Sequence, residues 1–390
     1  MRLALTPFTV HWPADQIAAL RQRLLAFKPA PTPEGGGWAY GCDVDYLQRI
    51  TAYWAEGYDF DAAQARLNLY PQYLAQVGDQ VLHVVHVVGE AQGKRPLLLT
   101  HGWPGSVFEF WDAIEPLAYP SRFGGDPADA FDVVLPSLPG FGYSSPPKRP
   151  IGQRATASLF DRLMREGFGY ETYLAQGGDW GGLVTGWLGL DHAAHVRGVH
   201  INMLGLRPAD PPETADEKAW AEQGRLAMQA YGGYFMLQAS KPQSLGLALS
   251  DTPVGQAAWI LERFHDWSDL RVKSFETVYS FDQLLTNIML YVAPNAFATS
   301  VWYYRALFEE GGAVLPRGVR VETPTAFANF PGEAIYRNPP RTYAEKAYNV
   351  VRWTDMAAGG HFACMEEPQA FIADIQAFAR DLDGQTEKRP

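Results

Sequence analysis

The GGDWGG stretch at residues 177–182 constrains the fold of this 390-residue chain more than any other feature. It follows the apolar run Tyr173-Leu174-Ala175 and precedes a helical pattern that begins at Leu183. A turn that joins a strand directly to a helix forces strained backbone angles and close packing, and glycines tolerate both. The sequence therefore predicts a strand, a sharp turn and a helix, with Asp179 at the tip of the turn.

An aspartate at this tip restricts the chemistry. The context resembles the nucleophile elbow of α/β-hydrolases, whose G-x-S-x-G pattern has a serine where this chain has Asp179. A carboxylate with a reference pKa of about 3.9 is ionised at pH 7 and needs no base in order to attack. Its attack on an sp³ carbon leaves an ester that water can hydrolyse, whereas a serine would leave an ether. The elbow thus indicates epoxide opening or dehalogenation, and the structural alternative is an aspartate that caps the helix.

Strand patterns alternate with helical patterns on both sides of the elbow, at residues 81–88, 96–100, 132–135, 173–175, 196–203, 319–328 and 350–353. This alternation predicts an α/β fold of the α/β-hydrolase type with a mostly parallel central sheet. From about 205 to 295 helical segments dominate, which predicts a lid over the carboxyl ends of the strands. We expect four segments: an amino-terminal extension with two helices (1–75), the first part of the core (76–204), the helical lid (205–297), and the lid end with the second part of the core (298–390).

Composition excludes several functional classes. The formal net charge of −11, without a basic run, argues against a nucleic-acid partner. Cys42 and Cys364 are the only cysteines, so neither a disulfide framework nor a cysteine metal site is indicated. No apolar stretch approaches the roughly 18 residues of a membrane span, and the amino terminus lacks a signal-peptide pattern. We expect a soluble cytoplasmic protein with a frayed tail from Gln385.

A nucleophilic aspartate needs a histidine to activate water and an acid to orient that histidine. In α/β-hydrolases these follow the nucleophile in the order acid, then histidine. His361 follows the last predicted strand, whereas His265 lies in the predicted lid, where we expect a surface residue. Glu333 follows the preceding strand and is the predicted acid. Asp355 is the competitor, only six residues before the histidine.

An oxyanion hole is predicted next to the elbow. The HGWP stretch at residues 101–104 follows a strand and would bring the Trp103 N–H opposite the turn. Together with the N–H of Trp180, it would stabilise the negative oxygen that forms when water attacks the ester. The structural alternative is an ordinary strand-to-turn connection.

With these residues assembled, the chain resembles the epoxide hydrolases of the α/β-hydrolase superfamily. The likeness is to the branch whose amino-terminal domain is shared by microsomal and juvenile-hormone epoxide hydrolases, and it covers nearly the whole chain. The motifs that carry it are Tyr40-Gly41, Tyr53-Trp54, Tyr58-Asp59-Phe60, Leu67-Asn68, His101-Gly102-Trp103-Pro104, Gly177-Gly178-Asp179-Trp180-Gly181 and Gly359-Gly360-His361-Phe362-Ala363.

The resemblance implies two lid tyrosines that hold the epoxide oxygen. The segment that begins at Gly233 is similar to the first tyrosine motif and points to Tyr234. The segment 299–304 is similar to the second, and its serine favours Tyr304 over Tyr303. A phenol of pKa about 10 can hydrogen-bond to the opening epoxide and protonate it. The resemblance also implies no cofactor or metal, and a small hydrophobic epoxide and water as partners. The microsomal members' membrane anchor is not expected here, and a homodimer is left open.

Two other functions stay open at this stage. Haloalkane or haloacid dehalogenation uses the same aspartate and histidine but needs halide-holding donors in place of the tyrosines. A catalytically silent α/β-hydrolase that binds a small ligand is the non-enzymatic alternative.

Overall fold

The structure is a computed structural model that describes residues 2–91 and 95–386. Its centre is a nine-stranded sheet within those residues, with the order β1-β2-β3-β5-β4-β6-β7-β8-β9. The strands are β1 (Leu5–Phe8), β2 (Gln72–Val77), β3 (Gln80–Val87), β4 (Pro96–Thr100), β5 (Asp132–Pro136), β6 (Tyr173–Gly177), β7 (Val196–Ile201), β8 (Val321–Asn329) and β9 (Tyr348–Asp355). The pairings among β1, β2, β3 and β5 are antiparallel, and the others are parallel. The predicted α/β fold with a mostly parallel sheet is confirmed.

The central parallel strands meet at one edge of the sheet. Every residue of β4, β5 and β6 is buried, as expected for short apolar strands that helices cover on both faces. Thr100 pairs with Gly177, Gly177 with Ile201, and Ile201 with Phe327. The loops that follow β4, β6, β7 and β8 therefore start close together, and with the loop that follows β9, the neighbour of β8, they supply the site described below.

Helices cover the sheet and form the lid. Those of the extension and core are α1 (Ala14–Leu25), α2 (Val44–Glu56), α3 (Phe60–Leu67), α4 (Trp111–Ala118), α5 (Gln153–Arg162) and α6 (Asp179–Asp191). Those of the lid are α7 (Ala215–Tyr231), α8 (Gly233–Ser240), α9 (Pro242–Ser250), α10 (Pro253–Trp267), α11 (Phe275–Val278), α12 (Phe281–Val292), α13 (Phe297–Ser300) and α14 (Trp302–Glu309). The last three are α15 (Arg341–Ala347), α16 (Ala363–Glu366) and α17 (Pro368–Thr386). A π-helical turn, Leu163–Phe168, continues α5.

The amino-terminal extension is tied to both the sheet and the lid. Its helices α1 and α2 pack against α10 and α12 of the lid. The Tyr58 hydroxyl lies 3.0 Å from the Thr286 hydroxyl of α12, and both groups are buried. The extension also contributes β1, which pairs with β2 at the edge of the sheet. The sequence analysis predicted two helices in the extension, which correspond to α1 and α2, but neither α3 nor these two strands.

Smaller differences concern element ends. The strand expected from residue 319 begins at Val321. Helix α2 begins at Val44 because the Asp43 carboxylate caps it. No single helix in the described ranges is long and apolar enough to cross a membrane; α12 with Phe297–Glu309 meets that test only as a pair bent by 87°. The predicted frayed tail lies outside the described residues beyond residue 386.

Candidate active site

Asp179 stands at a turn that only small neighbours permit. It has a positive φ of 47°, which few non-glycine residues adopt. A Cβ on Gly177 would lie 2.2 Å from the Gly181 carbonyl oxygen, and a Cβ on Gly181 would lie 1.9 Å from that of Thr100. The glycines therefore let β6 turn directly into α6, and this brings the Asp179 carboxylate to the edge of the sheet.

The two oxygens of the Asp179 carboxylate have different partners. Oδ1 accepts a hydrogen bond from the Trp103 N–H at 2.8 Å. Oδ2 lies 3.5 Å from Nε2 of His361. A Cβ on Gly102 would lie 2.3 Å from Oδ1, so a glycine is needed for this close approach. The carboxylate is thus held by a backbone donor on one oxygen and faces the imidazole with the other.

His361 is held between two carboxylates. Its Nδ1 lies 2.7 Å from Oε2 of Glu333, and both side chains are only 3% exposed. Its backbone N–H donates to the Trp267 carbonyl at 3.0 Å. Burial opposes the charged imidazole, but the charges of Glu333 and Asp179 raise the pKa of His361 well above its usual range. Nε2 faces Oδ2 of Asp179 at 3.5 Å as an ion pair and has no hydrogen-bond partner within the described residues. A charged imidazole carries a proton on Nε2, so it can accept a proton from water only after it has lost that one.

Glu333 rather than Asp355 lies beside the histidine. The other oxygen of Glu333, Oε1, accepts from the Tyr336 N–H at 3.1 Å, which fixes the carboxylate. Asp355 instead accepts from the Asn329 amide and the Trp353 indole, at 2.8 and 3.0 Å. The rejected histidine candidate, His265, is half-buried rather than on the surface, because its ring stacks on Trp38 of the extension at 4.1 Å.

The lid places two buried tyrosines above the carboxylate. Tyr234 lies in the first turn of α8 and Tyr304 in α14, with ring centroids 5.9 Å apart. The Tyr234 ring stacks on Trp103 at 5.8 Å, and the Tyr304 ring meets the edge of Trp180 at 4.7 Å. Burial raises the pKa of both phenols well above the usual value, so both are neutral proton donors at pH 7.

Tyr303 and Tyr304 point to different neighbours. The Tyr303 hydroxyl donates to the hydroxyl of Thr156, and its ring lies against Phe141. Within the described residues the Tyr304 hydroxyl has no hydrogen-bond partner. Tyr304 is therefore the one of the two with a hydroxyl free to bind a ligand.

Comparison with known proteins agrees with this geometry. Residues 5–110 match the family "Epoxide hydrolase N terminus", and residues 95–242 match "alpha/beta hydrolase fold". The chain is 37% identical to a putative epoxide hydrolase of Stigmatella aurantiaca, over 97% of this chain and 85% of that protein. It is 32% identical to Epoxide hydrolase 1 of Sus scrofa, over 98% of this chain and 90% of that protein. The chain belongs to the epoxide hydrolase family.

Solved structures of this family have the same fold. Juvenile hormone epoxide hydrolase of the silkworm Bombyx mori superposes with a TM-score of 0.88 at 28% identity, over 98% of this chain and 96% of that one. The epoxide hydrolase of Aspergillus niger superposes with a TM-score of 0.84 at 27% identity, over 97% of both chains. The resemblance that the motifs predicted is confirmed over the whole described chain.

Sequence reasoning missed two aromatic residues of this epoxide hydrolase family site. The Tyr336 hydroxyl shares a short hydrogen bond with that of Tyr234, and Tyr336 follows Glu333 by only three residues. The Trp267 ring lies 4.8 Å from that of His361 and 5.1 Å from that of Tyr234. Among many aromatic residues, no sequence signal distinguishes these two; only proximity to Glu333 could have suggested Tyr336.

A group with metal-ligand geometry lies elsewhere. Asp161, His192 and His195 offer ligand atoms within 4.8 Å of one another, and they are the one such group found in the described ranges. The Asp161 carboxylate already accepts from Arg165 and Tyr173 at 2.9 and 3.1 Å. These bonds already occupy the carboxylate oxygens without a metal ion.

Proposed function

We propose that this chain hydrolyses small hydrophobic epoxides to vicinal diols, in two steps and without a cofactor, through an ester on Asp179. One observation carries the proposal: a carboxylate at the elbow has a backbone donor on one oxygen, an imidazole at the other and two phenols above it. A carboxylate nucleophile suits an sp³ carbon, and the phenols suit the oxygen that leaves it.

In the first step, the hydroxyls of Tyr234 and Tyr304 would hold the epoxide oxygen. Asp179 forms a bond to one ring carbon while the bond from that carbon to oxygen breaks. The alkoxide takes a proton from a tyrosine, and the product is a hydroxyalkyl ester with a tyrosinate. Because both phenols are neutral and buried, they can donate strong hydrogen bonds to the developing charge.

In the second step, His361 would activate water. Esterification removes the negative charge of Asp179, one cause of the raised pKa of His361, so the imidazolium can give its proton through solvent to the tyrosinate. The neutral Nε2 then takes a proton from water, whose oxygen attacks the Asp179 carbonyl. The N–H groups of Trp103 and Trp180 would receive the charge, and Glu333 would stabilise the imidazolium. Collapse expels the alkoxide, which takes the proton of the His361 imidazolium and leaves as the diol. The Asp179 carboxyl then gives its own proton to Nε2, which restores the Asp179 carboxylate and the charged imidazole.

The walls of the site support a hydrophobic substrate. Trp103, Trp180, Trp267 and Phe235 surround the two phenols, with ring centroids between 4.7 and 6.4 Å apart. A pocket of about 370 Å³ reaches Tyr336 from outside and is lined by apolar side chains and by arginines at residues 207, 225 and 337. An apolar epoxide would bury its substituent against these rings.

Diol formation from a panel of epoxides that includes styrene oxide tests the proposal. We expect the wild type to form diol and Asp179→Ala to form none above the uncatalysed rate. Asp251→Ala, which removes a fully exposed carboxylate in the lid, is the matched control and should behave as wild type. Absence of diol with every epoxide would contradict the proposal.

One observation favours a second candidate function, haloalkane or haloacid dehalogenation. The buried indole N–H groups of Trp103 and Trp180 have no acceptor among the described residues, and such donors can bind a halide. Chloride release from a haloalkane, without diol formation from epoxides, would favour this function.

A further inference from the structure

Glu109 lies against the loop that holds the nucleophile. It belongs to a short 3-10 helix, Val107–Phe110, directly after that loop. A Cβ on Gly105 would lie 2.5 Å from Oε2 of Glu109 and 3.5 Å from the Gly102 carbonyl oxygen. A Cβ on Gly102 would meet Asp179 at 2.3 Å. The same four residues of chain, 102–105, therefore contact both carboxyl groups.

The Glu109 carboxyl lacks the partners that a structural carboxylate has. Within residues 2–91 and 95–386 it forms no ion pair, and the Gly102 N–H is the one hydrogen-bond donor that faces it. Its neighbour Glu366 shows the contrast, since it accepts from the N–H groups of Asp269, Gly360 and Phe362 at 2.6 to 2.9 Å. The Glu109 side chain is half-buried, so acceptor capacity that no protein donor uses is open to a water or a ligand.

The charges around Glu109 belong to the candidate active site. Burial raises the pKa of Glu109 to about 8; Asp179 and Glu366 add to the increase, and His361 and the Gly102 N–H oppose it. The other titratable groups that interact with it are Tyr279, Tyr291 and Cys364. Glu109 thus responds to the charge of both the nucleophile and the base.

We propose that Glu109 holds the water that hydrolyses the ester on Asp179, as a second acceptor beside Nε2 of His361. The inference rests on the proposed function. Water would give one proton to Nε2, donate its other hydrogen to the Glu109 carboxyl, and form its new bond to the Asp179 carbonyl carbon. Two acceptors fix the orientation of the attacking lone pair, and Glu109 itself forms no covalent bond.

The loss of the Asp179 charge on esterification favours a role for Glu109 in the second step, the hydrolysis of the ester. Esterification removes the Asp179 charge, so one cause of the raised pKa of Glu109 disappears. The carboxyl shifts toward its ionised form, releases its proton to solvent, and regains it when Asp179 is freed. As a carboxylate it is the stronger acceptor for water and stabilises the imidazolium of His361.

Rapid-quench kinetics of Glu109→Gln with styrene oxide tests the inference. The mass of the protein follows ester formation, and diol follows hydrolysis. We expect ester formation within about twofold of wild type and hydrolysis slowed about tenfold or more, as for the loss of a charge-assisted hydrogen bond. Because hydrolysis then limits turnover, kcat and KM fall together, and kcat/KM stays unchanged.

A purely structural role would give a different result. It would slow ester formation as much as hydrolysis and lower kcat/KM, and that outcome, or hydrolysis at the wild-type rate, would overturn the inference. Glu115→Gln, which changes a partly exposed carboxylate of α4 that pairs with Arg122, is the matched control and should leave both steps unchanged. Glu109→Asp is the second variant if the glutamine variant does not fold; its shortened side chain should also slow hydrolysis alone.

The two proposals fail in distinguishable ways. If the wild type forms neither ester nor diol, the proposed function fails. If the wild type turns over through an ester and both Glu109 variants hydrolyse that ester as fast as the wild type does, only the proposed role of Glu109 fails.

Discussion

The core and the lid supply the two halves of the candidate site by different means. On the core side, Asp179, Glu333 and His361 follow the ends of β6, β8 and β9, so the sheet fixes their positions. On the lid side, Tyr234 and Tyr304 belong to α8 and α14 and are held by aromatic contacts with Trp103 and Trp180 of the core. The core half carries charge and the lid half carries neutral phenols.

This difference separates the two proposed steps. In the proposed mechanism the carboxylate is needed in both steps, whereas the phenols would act on the epoxide oxygen and the imidazole would act on water. Lid substitutions should therefore slow ester formation, and core substitutions around the histidine should slow ester hydrolysis. The predictions below test that separation.

Replacement of both lid phenols should have a larger effect than replacement of either one alone. We expect Tyr234→Phe with Tyr304→Phe to lower the rate of ester formation from styrene oxide by about 10²–10⁴-fold, because the alkoxide would form without a proton donor. Rapid-quench mass measurement checks this. An ester that forms quickly but hydrolyses slowly would contradict this prediction, because the phenols would then act in hydrolysis and not in ester formation.

Single substitutions should separate the adjacent tyrosines. Tyr304→Phe should slow ester formation about tenfold, the effect of one lost hydrogen bond to a developing charge. Tyr303→Phe is the matched control, since its hydroxyl bonds to Thr156, and we expect kcat/KM within about twofold of wild type. A larger effect of Tyr303→Phe than of Tyr304→Phe would mean that Tyr303, and not Tyr304, binds the epoxide oxygen.

Anchoring of the lid should affect stability and not chemistry. Glu217 caps α7 and contacts Lys346 and Thr342 of α15. Burial opposes its charge, but the N–H groups of Glu213 and Thr214 and these side chains lower the pKa of Glu217 to about 2. This is below the unfolded value of about 4.3, so its stabilisation is present above that pH and is lost as the pH falls toward 2.

We therefore expect Glu217→Gln to lower the Tm by about 2–4 °C at pH 7. The difference in Tm between the variant and the wild type should become smaller below about pH 4. Thermal unfolding at several pH values measures this. Glu222→Gln, on the same helix but in an exposed pair with Arg225, should leave the Tm unchanged. A difference in Tm that grows at low pH would contradict this stabilising role of the Glu217 charge.

The sequence predicted the core half of the site better than the lid half. The GGDWGG turn, the HGWP loop and the order of Glu333 and His361 are local patterns that follow strands, and parallel strands bring such loops to one edge. Tyr303 and Tyr304 are neighbours on one helix turn, so only contacts with Phe141 or Phe235 distinguish them. The choice of Tyr304 depended on family resemblance, and Tyr336 had no local signal.

Prediction of the fold from local sequence patterns had the same limit. Strands β4 to β6 are short apolar runs and were predicted within two residues. Strand β1 has four residues, includes Pro7 and pairs with β2 more than sixty residues later, so no local periodicity marks it. Contacts distant in sequence were needed for both the extension and the lid.

The mass of His361→Gln after exposure to styrene oxide tests the central claim most directly. Without an imidazole to activate water, the ester should accumulate and hydrolyse about 10²–10⁴-fold more slowly than in the wild type. We predict a mass increase of one substrate molecule per protein, located in the peptide that contains Asp179. No adduct, an adduct on another residue, or undiminished diol formation would contradict the two-step account.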